Sequence, residues 1–155
     1  MPWLQPMTGK RPGVWFSWKE LQVTSTGIRN VAPADARLNL RLLVHHCLDP
    51  LRVHLERPVH VTSGYRCHAV NDAVGGSVRS FHTKGLAADI KVKGLTAHDI
   101  MRAVIDSDIQ FDQAIAYHAN RGGHLHLGFS VGRLRSQRLW ARKSGGYEVY
   151  DDDLA

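Results

Sequence analysis

Two separated segments with regular spacing constrain this chain more than any other feature of its sequence. The first runs from Ser80 to Asp89 and contains His82, and the second is His124-Leu125-His126. Two imidazoles and one carboxylate from distant parts of a chain can hold one zinc ion and leave a fourth tetrahedral position for water. This is the arrangement of a catalytic rather than a structural zinc site, so the pattern predicts a metallohydrolase.

Strand geometry decides which of these side chains share a face. In a strand over 86–92, Asp89 points away from the core on a face of small residues, because successive side chains alternate. In the second segment, His124 and His126 point to one face for the same reason. If the two strands are neighbours, Asp89 and His126 meet at one metal ion, and His82 closes the site from the preceding loop. His124 then lies close enough to act on substrate or water.

The remaining patterns predict an α+β fold, with N-terminal helices packed on a small, mainly antiparallel β-sheet whose polar face carries the zinc site. Apolar residues at helical spacing indicate helices, and alternating β-branched residues indicate strands. The predicted helices are 16–21, capped by Ser17 and Glu20; 33–54, kinked at Pro50; and 96–107, capped by Thr96. The predicted strands are 59–63, 86–92, 111–117 and 124–129, and a loop is predicted over 71–80.

The length of the chain indicates a single domain. With 155 residues and 43% hydrophobic content, the chain can bury one core of ordinary size. We therefore expect one domain over 1–155. Residues 136–155 form a C-terminal extension that is basic at first and then acidic, and the acidic stretch from Asp151 to Asp153 is expected to fray.

The start of the chain and its cysteines indicate the compartment. Met1 is not followed by a basic region and a long hydrophobic stretch, and no apolar run approaches the roughly 20 residues needed to span a bilayer. We therefore expect synthesis in the cytoplasm, without a signal peptide or a membrane span. Cys47 and Cys67 are the two cysteines, which favours reduced thiols and leaves a single bridge between them as the alternative.

The formal charge of +6 and the pI near 9.7 predict a surface that attracts polyanions, whether nucleic acid, an anionic wall polymer or lipid headgroups. Several cationic side chains lie late in the chain beside Trp140. They form either a patch for stacking and phosphate binding or a solvated basic face. These side chains are Arg133, Arg135, Arg138, Arg142 and Lys143. Because no groove-binding or stacking motif accompanies them, we predict no specific nucleic-acid partner.

A series of short motifs carries a family resemblance. Ser63-Gly64-Tyr65-Arg66 is followed by Asn71, by Gly75-Gly76, by the segment from Ser80 to Asp89 and finally by His124-Leu125-His126. This order resembles the zinc D-alanyl-D-alanine carboxypeptidase family of cell-wall peptidases, over roughly 16–129, and is most similar to its short phage-encoded members. The broader lysostaphin and hedgehog zinc group shares the first histidine, the aspartate and the final histidine pair on a small antiparallel sheet.

The resemblance implies a role for each matching residue. His82, Asp89 and His126 would bind one zinc ion. Arg66 would hold a carbonyl or carboxylate of the substrate and would stabilise the oxyanion that develops in the reaction, since its charged fork suits these groups, and a surface salt bridge is the alternative. Ser80 would help to bind the peptide terminus, and the alternative is a loop or cap hydrogen bond.

The resemblance also implies the substrate and the setting. The substrate would be a peptidoglycan stem peptide, cut either at the terminal D-Ala-D-Ala bond or at an internal bond such as L-alanyl-D-glutamate. Hydroxide on the zinc ion would attack the amide carbonyl. We expect a monomer that acts at the cell wall after phage-assisted release or as a virion component.

One position departs from the family pattern. Members usually carry an acidic general base three residues before the last histidine ligand, where this chain has Gly123. His124 is the first candidate for the catalytic base, with Asp112 and His118 behind it. Two hypotheses follow from this departure. The protein is either a zinc peptidase in which a histidine moves the proton, or a catalytically inactive, zinc-stabilised binding or virion-assembly module.

Overall fold

A six-stranded mixed β-sheet organises the computed structural model, which describes residues 10–151. Its strands are β1 (His60–Ser63), β2 (Ala87–Lys91), β3 (Gln113–Tyr117), β4 (Leu125–Gly128), β5 (Gln137–Ala141) and β6 (Tyr147–Val149). Across the sheet the order is β1-β2-β4-β3-β5-β6. β3 and β5 are parallel and every other neighbouring pair is antiparallel, so the predicted α+β fold with a mainly antiparallel sheet is confirmed.

The α-helices are short, and two of them begin with the caps that the sequence predicts. They are α1 (Trp18–Leu21), α2 (Ala34–Leu43), α3 (Asp49–Leu55), α4 (His68–Ala73) and α5 (Ala97–Asp106). Before α1, the Ser17 hydroxyl accepts the Glu20 N–H, and the Glu20 carboxylate accepts the Ser17 N–H. Thr96 and Asp99 form the same reciprocal pair before α5. These bonds satisfy N–H groups that the first turn of a helix leaves unpaired.

The predicted long helix runs from α2 into α3, but its change of geometry lies before Pro50. Val44–Leu48 forms a π-helical segment between the two α-helices. Pro50 then occupies the first turn of α3, where a missing N–H is tolerated. The irregularity predicted at Pro50 is thus a π segment that ends just before the turn that holds the proline.

The segment 71–80 is helical at its start, which differs from the predicted loop. α4 ends at Ala73 and therefore includes Asn71. Asn71 is buried, and its side-chain amide donates to the Ser77 carbonyl oxygen at 2.9 Å. The polar composition of the segment suggested exposure to solvent, whereas the buried asparagine holds the following loop against α4.

The basic C-terminal region forms β5 and β6, two strands that sequence patterns did not predict. β5 joins the sheet beside β3, and β6 forms an edge. Trp140 in β5 is 4% exposed and stacks on His118 with 4.4 Å between ring centroids, so its ring faces cannot stack on nucleic-acid bases. The interpretation of this region as a stacking patch is therefore wrong. Asp152 and Asp153 lie outside the described residues.

Buried apolar side chains form one hydrophobic cluster that joins helices to strands. Leu43, Ile100 and Leu127 are fully buried members from α2, α5 and β4. Removing such side chains from water drives the packing of the helices on the sheet. Cys47 lies in this cluster and is not bonded to Cys67. Within residues 10–151, no helix combines the length and the apolar character needed to cross a bilayer.

Candidate active site

One row of paired residues runs across the sheet and contains Asp89 and His126. Asp89 in β2 pairs with Ser63 on one side and with His126 on the other. His126 pairs in turn with Ile115, and Ile115 pairs with Leu139. Residues that pair across strands point to the same face, so the row places Asp89 beside His126. The two strands are therefore neighbours, which is the condition under which Asp89 and His126 were expected to meet.

Three polar atoms converge at this place. Asp89 Oδ1 lies 2.9 Å from His126 Nδ1 and 3.2 Å from His82 Nε2, and the two ring nitrogens are 3.2 Å apart. His82 comes from the 3-10 helix Phe81–Lys84, which precedes β2. His82 and Asp89 are buried, whereas His126 is partly exposed, so solvent reaches the cluster at His126. The structure thus brings together the three residues that the sequence predicted as metal ligands.

The ring of His82 is held in one orientation by the end of β1. Its Nδ1 lies 2.7 Å from the Gly64 carbonyl oxygen, which can only accept, so Nδ1 carries the hydrogen and donates it. Burial lowers the pKa of His82, and the neutral ring then presents the lone pair of Nε2 to the cluster. A backbone acceptor behind a histidine is a common way to select the tautomer that binds a metal.

The carboxylate of Asp89 stays ionised in the cluster. Burial by itself would raise its pKa, but the contacts with His126 and His82 outweigh burial and hold the pKa of Asp89 well below its usual value. At neutral pH, Asp89 is therefore a negatively charged acceptor.

The donor set fits a zinc ion. With His82 neutral and Asp89 ionised, at most one proton lies among the three atoms, on His126 Nδ1. A cation satisfies all three atoms at once. Ligand atoms at zinc bond lengths of about 2.0 to 2.1 Å in a tetrahedron lie about 3.3 Å apart, close to the 2.9 to 3.2 Å found here. Two imidazoles with one carboxylate are also ligands typical of catalytic zinc.

Arg66 lies beside the cluster and holds the second oxygen of Asp89. Its Nη2 donates to Asp89 Oδ2 at 3.3 Å. Its Nε donates to Ser63 Oγ at 2.9 Å, and its Nη1 donates to Asn71 Oδ1 at 3.5 Å. The guanidinium fork is therefore anchored on three sides, and it orients Asp89 so that Oδ1 points into the cluster.

A cleft of about 530 Å³ opens beside the cluster. The predicted site residues that line it are His82, His126, Arg66 and Ser80. Ser80 also caps the 3-10 helix Phe81–Lys84, because its Oγ accepts the N–H of His82 at 3.3 Å. Ser80 thus makes the cap hydrogen bond that was the alternative to substrate binding, and it still faces the cleft.

The site residues lie within a region that matches a known family. The sequence model of peptidase M15 matches residues 14–127, which is most of the chain. The chain belongs to the peptidase M15 family. M15 peptidases are metal-dependent, and the His-Asp-His cluster meets that requirement. No curated protein matches the chain with significance.

The expected acidic base of the M15 pattern is replaced by a glycine in this chain, and His124 lies next to it. Gly123 has a φ of 67°, a conformation that glycine adopts without strain. His124 Nε2 is 3.8 Å from Asp89 Oδ2, and its ring stacks on Tyr117 with 4.2 Å between centroids. Burial lowers the pKa of His124, so its ring is neutral at neutral pH. Within the described part of the chain, Tyr117 rather than His124 lines the cleft.

The two other candidates for the catalytic base, Asp112 and His118, lie away from the His-Asp-His cluster. Asp112 is fully buried, and Arg135 Nε lies 2.6 Å from its Oδ1. Burial by itself would raise the pKa of Asp112, but the hydrogen bonds from Arg135 outweigh burial and lower it. His118 stacks on Trp140, whose neighbour Leu139 lines the cleft, so this stack lies on the opposite face of the sheet. Asp112 is therefore a structural anchor.

Other residues of the M15 cleft were not singled out from the sequence. Gln113, Ile115 and Tyr117 alternate along β3 and line the cleft, a period of two that the predicted strand already contained. Leu139 and Tyr147 also line it. They come from β5 and β6, so no local pattern placed them near the metal ligands.

Proposed function

We propose that this M15 protein is a zinc-dependent peptidase that hydrolyses an amide bond in peptidoglycan stem peptides. The observation that carries the proposal is the convergence of His82, Asp89 and His126 beside a cleft. Membership of the family supports peptide hydrolysis and a peptidoglycan substrate. The bond is either the terminal D-Ala-D-Ala bond, as in a carboxypeptidase, or an internal bond such as L-alanyl-D-glutamate.

Each residue of the cluster has a part in the proposed enzyme. His82, Asp89 and His126 hold the zinc ion. When bound, zinc supplies a Lewis acid for the substrate carbonyl and lowers the pKa of a water to about 7. Arg66 orients Asp89 and faces the cleft, where its fork suits a substrate carbonyl or carboxylate. Ser80 is proposed to bind the peptide terminus.

His124 is the proposed base that removes a proton from the attacking water. Because burial lowers the pKa of His124, its ring is unprotonated at neutral pH and able to accept this proton. Tyr117 stacks on the ring and limits its rotation. The Tyr117 hydroxyl lies 3.2 Å from the hydroxyl of Tyr147 in β6, so a hydrogen bond to this strand holds the Tyr117 ring in place.

A second function is favoured by one observation: within the described part of the chain, no aspartate or glutamate lines the cleft. In this second function, the protein keeps the metal cluster but lacks the acidic base, so it binds a stem peptide or an anionic polymer without cutting it. The alternative to the peptidase is therefore a catalytically inactive, zinc-stabilised binding or virion-assembly module.

Hydrolysis of a defined muropeptide, followed by mass spectrometry, separates these two functions. The zinc-loaded wild type is expected to cut one amide bond, and the product masses identify it. His124→Ala is expected to lower kcat about 10²- to 10⁴-fold while the protein keeps its zinc. Unchanged turnover in His124→Ala would contradict the proposed base, and binding without cleavage by the wild type would favour the module.

The route to the substrate is a separate part of the proposal. Peptidoglycan lies outside the plasma membrane, so an enzyme that cuts it has to reach that compartment. We propose phage-assisted release or delivery within a virion, with the monomer as the working form.

A further inference from the structure

The walls of the cleft carry more cationic side chains than the proposed mechanism, which uses Arg66 alone, requires. Four arginines line the cleft, and within residues 10–151 no carboxylate side chain does. These arginines are Arg66, Arg79, Arg133 and Arg135. A concave surface with charges of one sign concentrates ligands of the opposite sign.

Two of the four arginines already have carboxylate partners in the protein. Arg66 donates to Asp89 Oδ2 at 3.3 Å. Arg135 donates from Nε to Asp112 Oδ1 at 2.6 Å and from Nη2 to Asp112 Oδ2 at 3.1 Å. Asp112 is fully buried and 37% of the Arg135 side chain is exposed, so water reaches the pair only from the side of the arginine. Both positive charges are therefore compensated within the fold.

Arg79 and Arg133 lack such compensation. Among the described residues, no hydrogen bond or ion pair engages the Arg79 side chain. Arg133 Nε is 4.0 Å from Asp112 Oδ1, an oxygen that Arg135 already contacts, and 55% of the Arg133 side chain is exposed. An ion pair at that distance and exposure is weak. Two guanidinium groups thus line the cleft with unused donors.

The backbone that carries these two arginines is held in place. Arg79 follows the loop that the buried Asn71 fixes through a side-chain hydrogen bond. Arg133 lies in the turn between β4 and β5, and Arg135 ties the end of this turn to Asp112. Because the backbone is already fixed, the protein loses less conformational entropy when a bound ligand orders the two side chains.

We propose that Arg79 and Arg133 form a carboxylate-binding subsite, so that the substrate is an acidic peptide with a free carboxylate that is not part of the amide bond that is cut. This inference rests on the proposed peptidase function and adds the charge of the substrate to it. A guanidinium group binds a carboxylate through two parallel hydrogen bonds. The free carboxylate of D-glutamate in a stem peptide has this chemistry, and its amidation removes the charge and one acceptor.

Two synthetic stem peptides of the same sequence test the subsite, one with this carboxylate free and one with it amidated. Values of kcat and KM are measured for the zinc-loaded wild type, Arg79→Gln, Arg133→Gln and the double variant. The wild type is expected to have a KM about tenfold lower for the acidic peptide, and this ratio is expected to approach one in the double variant. The value of kcat is expected to stay unchanged.

Arg138→Gln is the matched control. Arg138 is an exposed arginine in β5 that does not line the cleft, so its substitution removes the same charge elsewhere. The KM ratio of this variant is expected to equal that of the wild type. An equal KM for both peptides in the wild type, or an equal loss on both peptides in the double variant, would overturn the subsite.

The same peptides separate the subsite from the peptidase activity. If the wild type cuts neither peptide, the proposed function fails, and equilibrium binding of fluorescent forms of both peptides is measured by anisotropy. Tighter binding of the acidic peptide that the double variant loses would support the subsite. Equal binding of the two peptides by the wild type would overturn it.

Discussion

At the scale of single residues, the geometry of the site depends on the polar atoms of His82 and Asp89 that face away from the cluster, here called the outer atoms. His82 uses Nδ1 on the Gly64 carbonyl oxygen, and Asp89 uses Oδ2 on Arg66. These contacts direct the inner atoms, Nε2 and Oδ1, towards His126. Outer partners of this kind commonly change metal affinity by about 10- to 100-fold when they are removed.

Replacing Arg66 with lysine is expected to weaken zinc binding and turnover. Lysine keeps the charge but lacks the planar fork, so it cannot contact Ser63, Asn71 and Asp89 together. We expect zinc affinity to fall about tenfold and kcat/KM to fall at least as much. Competition with a fluorescent zinc chelator measures the affinity, with Arg138→Lys as the control. Unchanged zinc affinity in Arg66→Lys would show that the Arg66 guanidinium group does not position Asp89 for zinc binding.

The stacking of Tyr117 on His124 predicts different effects for two substitutions. Tyr117→Phe keeps the ring and loses only the hydroxyl contact with Tyr147, so kcat is expected to fall less than about threefold. Tyr117→Leu removes the stack, so kcat is expected to fall about tenfold while zinc content stays the same. Steady-state hydrolysis of a muropeptide measures both. Equal kcat values for the two variants would show that stacking does not position His124.

At the scale of elements, the chain after β1 is fixed between α1 and the 3-10 helix that carries His82. The Tyr65 N–H donates to the Leu21 carbonyl oxygen at 2.8 Å, and the Arg66 N–H donates to the His82 carbonyl oxygen at 3.0 Å. Gly64 lies at this junction, where a Cβ would be 2.3 Å from the Leu21 carbonyl oxygen. This close approach of two backbones requires glycine.

Gly64→Ala is therefore expected to destabilise the protein and to displace His82. Because the added Cβ meets backbone, no side-chain rotation relieves the clash, and the end of β1 must move. We expect the free energy of unfolding to fall by about 1 to 3 kcal/mol, measured with denaturant, together with weaker zinc binding. Gly128→Ala is the matched control, since its added Cβ has no contact shorter than 3.5 Å. Equal stability of the two variants would refute this account of Gly64.

Elements with strong local signals were predictable from the sequence, and the far wall of the cleft was not. The capping pair Ser17/Glu20 and the cap Thr96 identified two helices, and alternation put Asp89 on the face that His126 shares. β5 and β6 carry weak alternation, and their pairing is decided by the sheet that receives them. The cleft residues of these strands therefore had no local signal.

At the scale of the whole molecule, charge and protonation decide when the site is assembled. The net charge of +6 favours the approach of anionic polymers to the protein. Inside the site, the metal requires a neutral His82 and an ionised Asp89, and the fold maintains both states at neutral pH. Acid therefore opposes metal binding and folding together.

The metal-free protein is expected to lose stability as the pH falls. Burial lowers the pKa of His82 and of His124 in the folded state, so the unfolded chain takes up protons first. The free energy of unfolding is therefore highest above the unfolded histidine pKa of about 6.5 and decreases below it, down to the folded pKa values. Denaturant unfolding of the chelated protein at about pH 7.5 and about pH 5.5 measures this change.

His82→Gln is the control for this pH dependence, because it removes one of the histidines whose pKa the fold lowers. Its free energy of unfolding is expected to decrease less on acidification than that of the wild type. A wild-type free energy that stays constant or rises towards low pH would contradict the neutral state assigned to His82.

The claim that this chain is a metal-dependent peptidoglycan hydrolase is tested most directly by the soluble peptides that it releases from purified peptidoglycan, identified by mass spectrometry. The zinc-loaded wild type is expected to release fragments cut at one kind of amide bond, whereas the chelated protein and His126→Ala are expected to release none. Zinc bound at one equivalent without release of fragments from any wall type would contradict the peptidase. That result would favour the binding module. The absence of hydrolysis would then be explained by Gly123, which stands where an acidic base was expected.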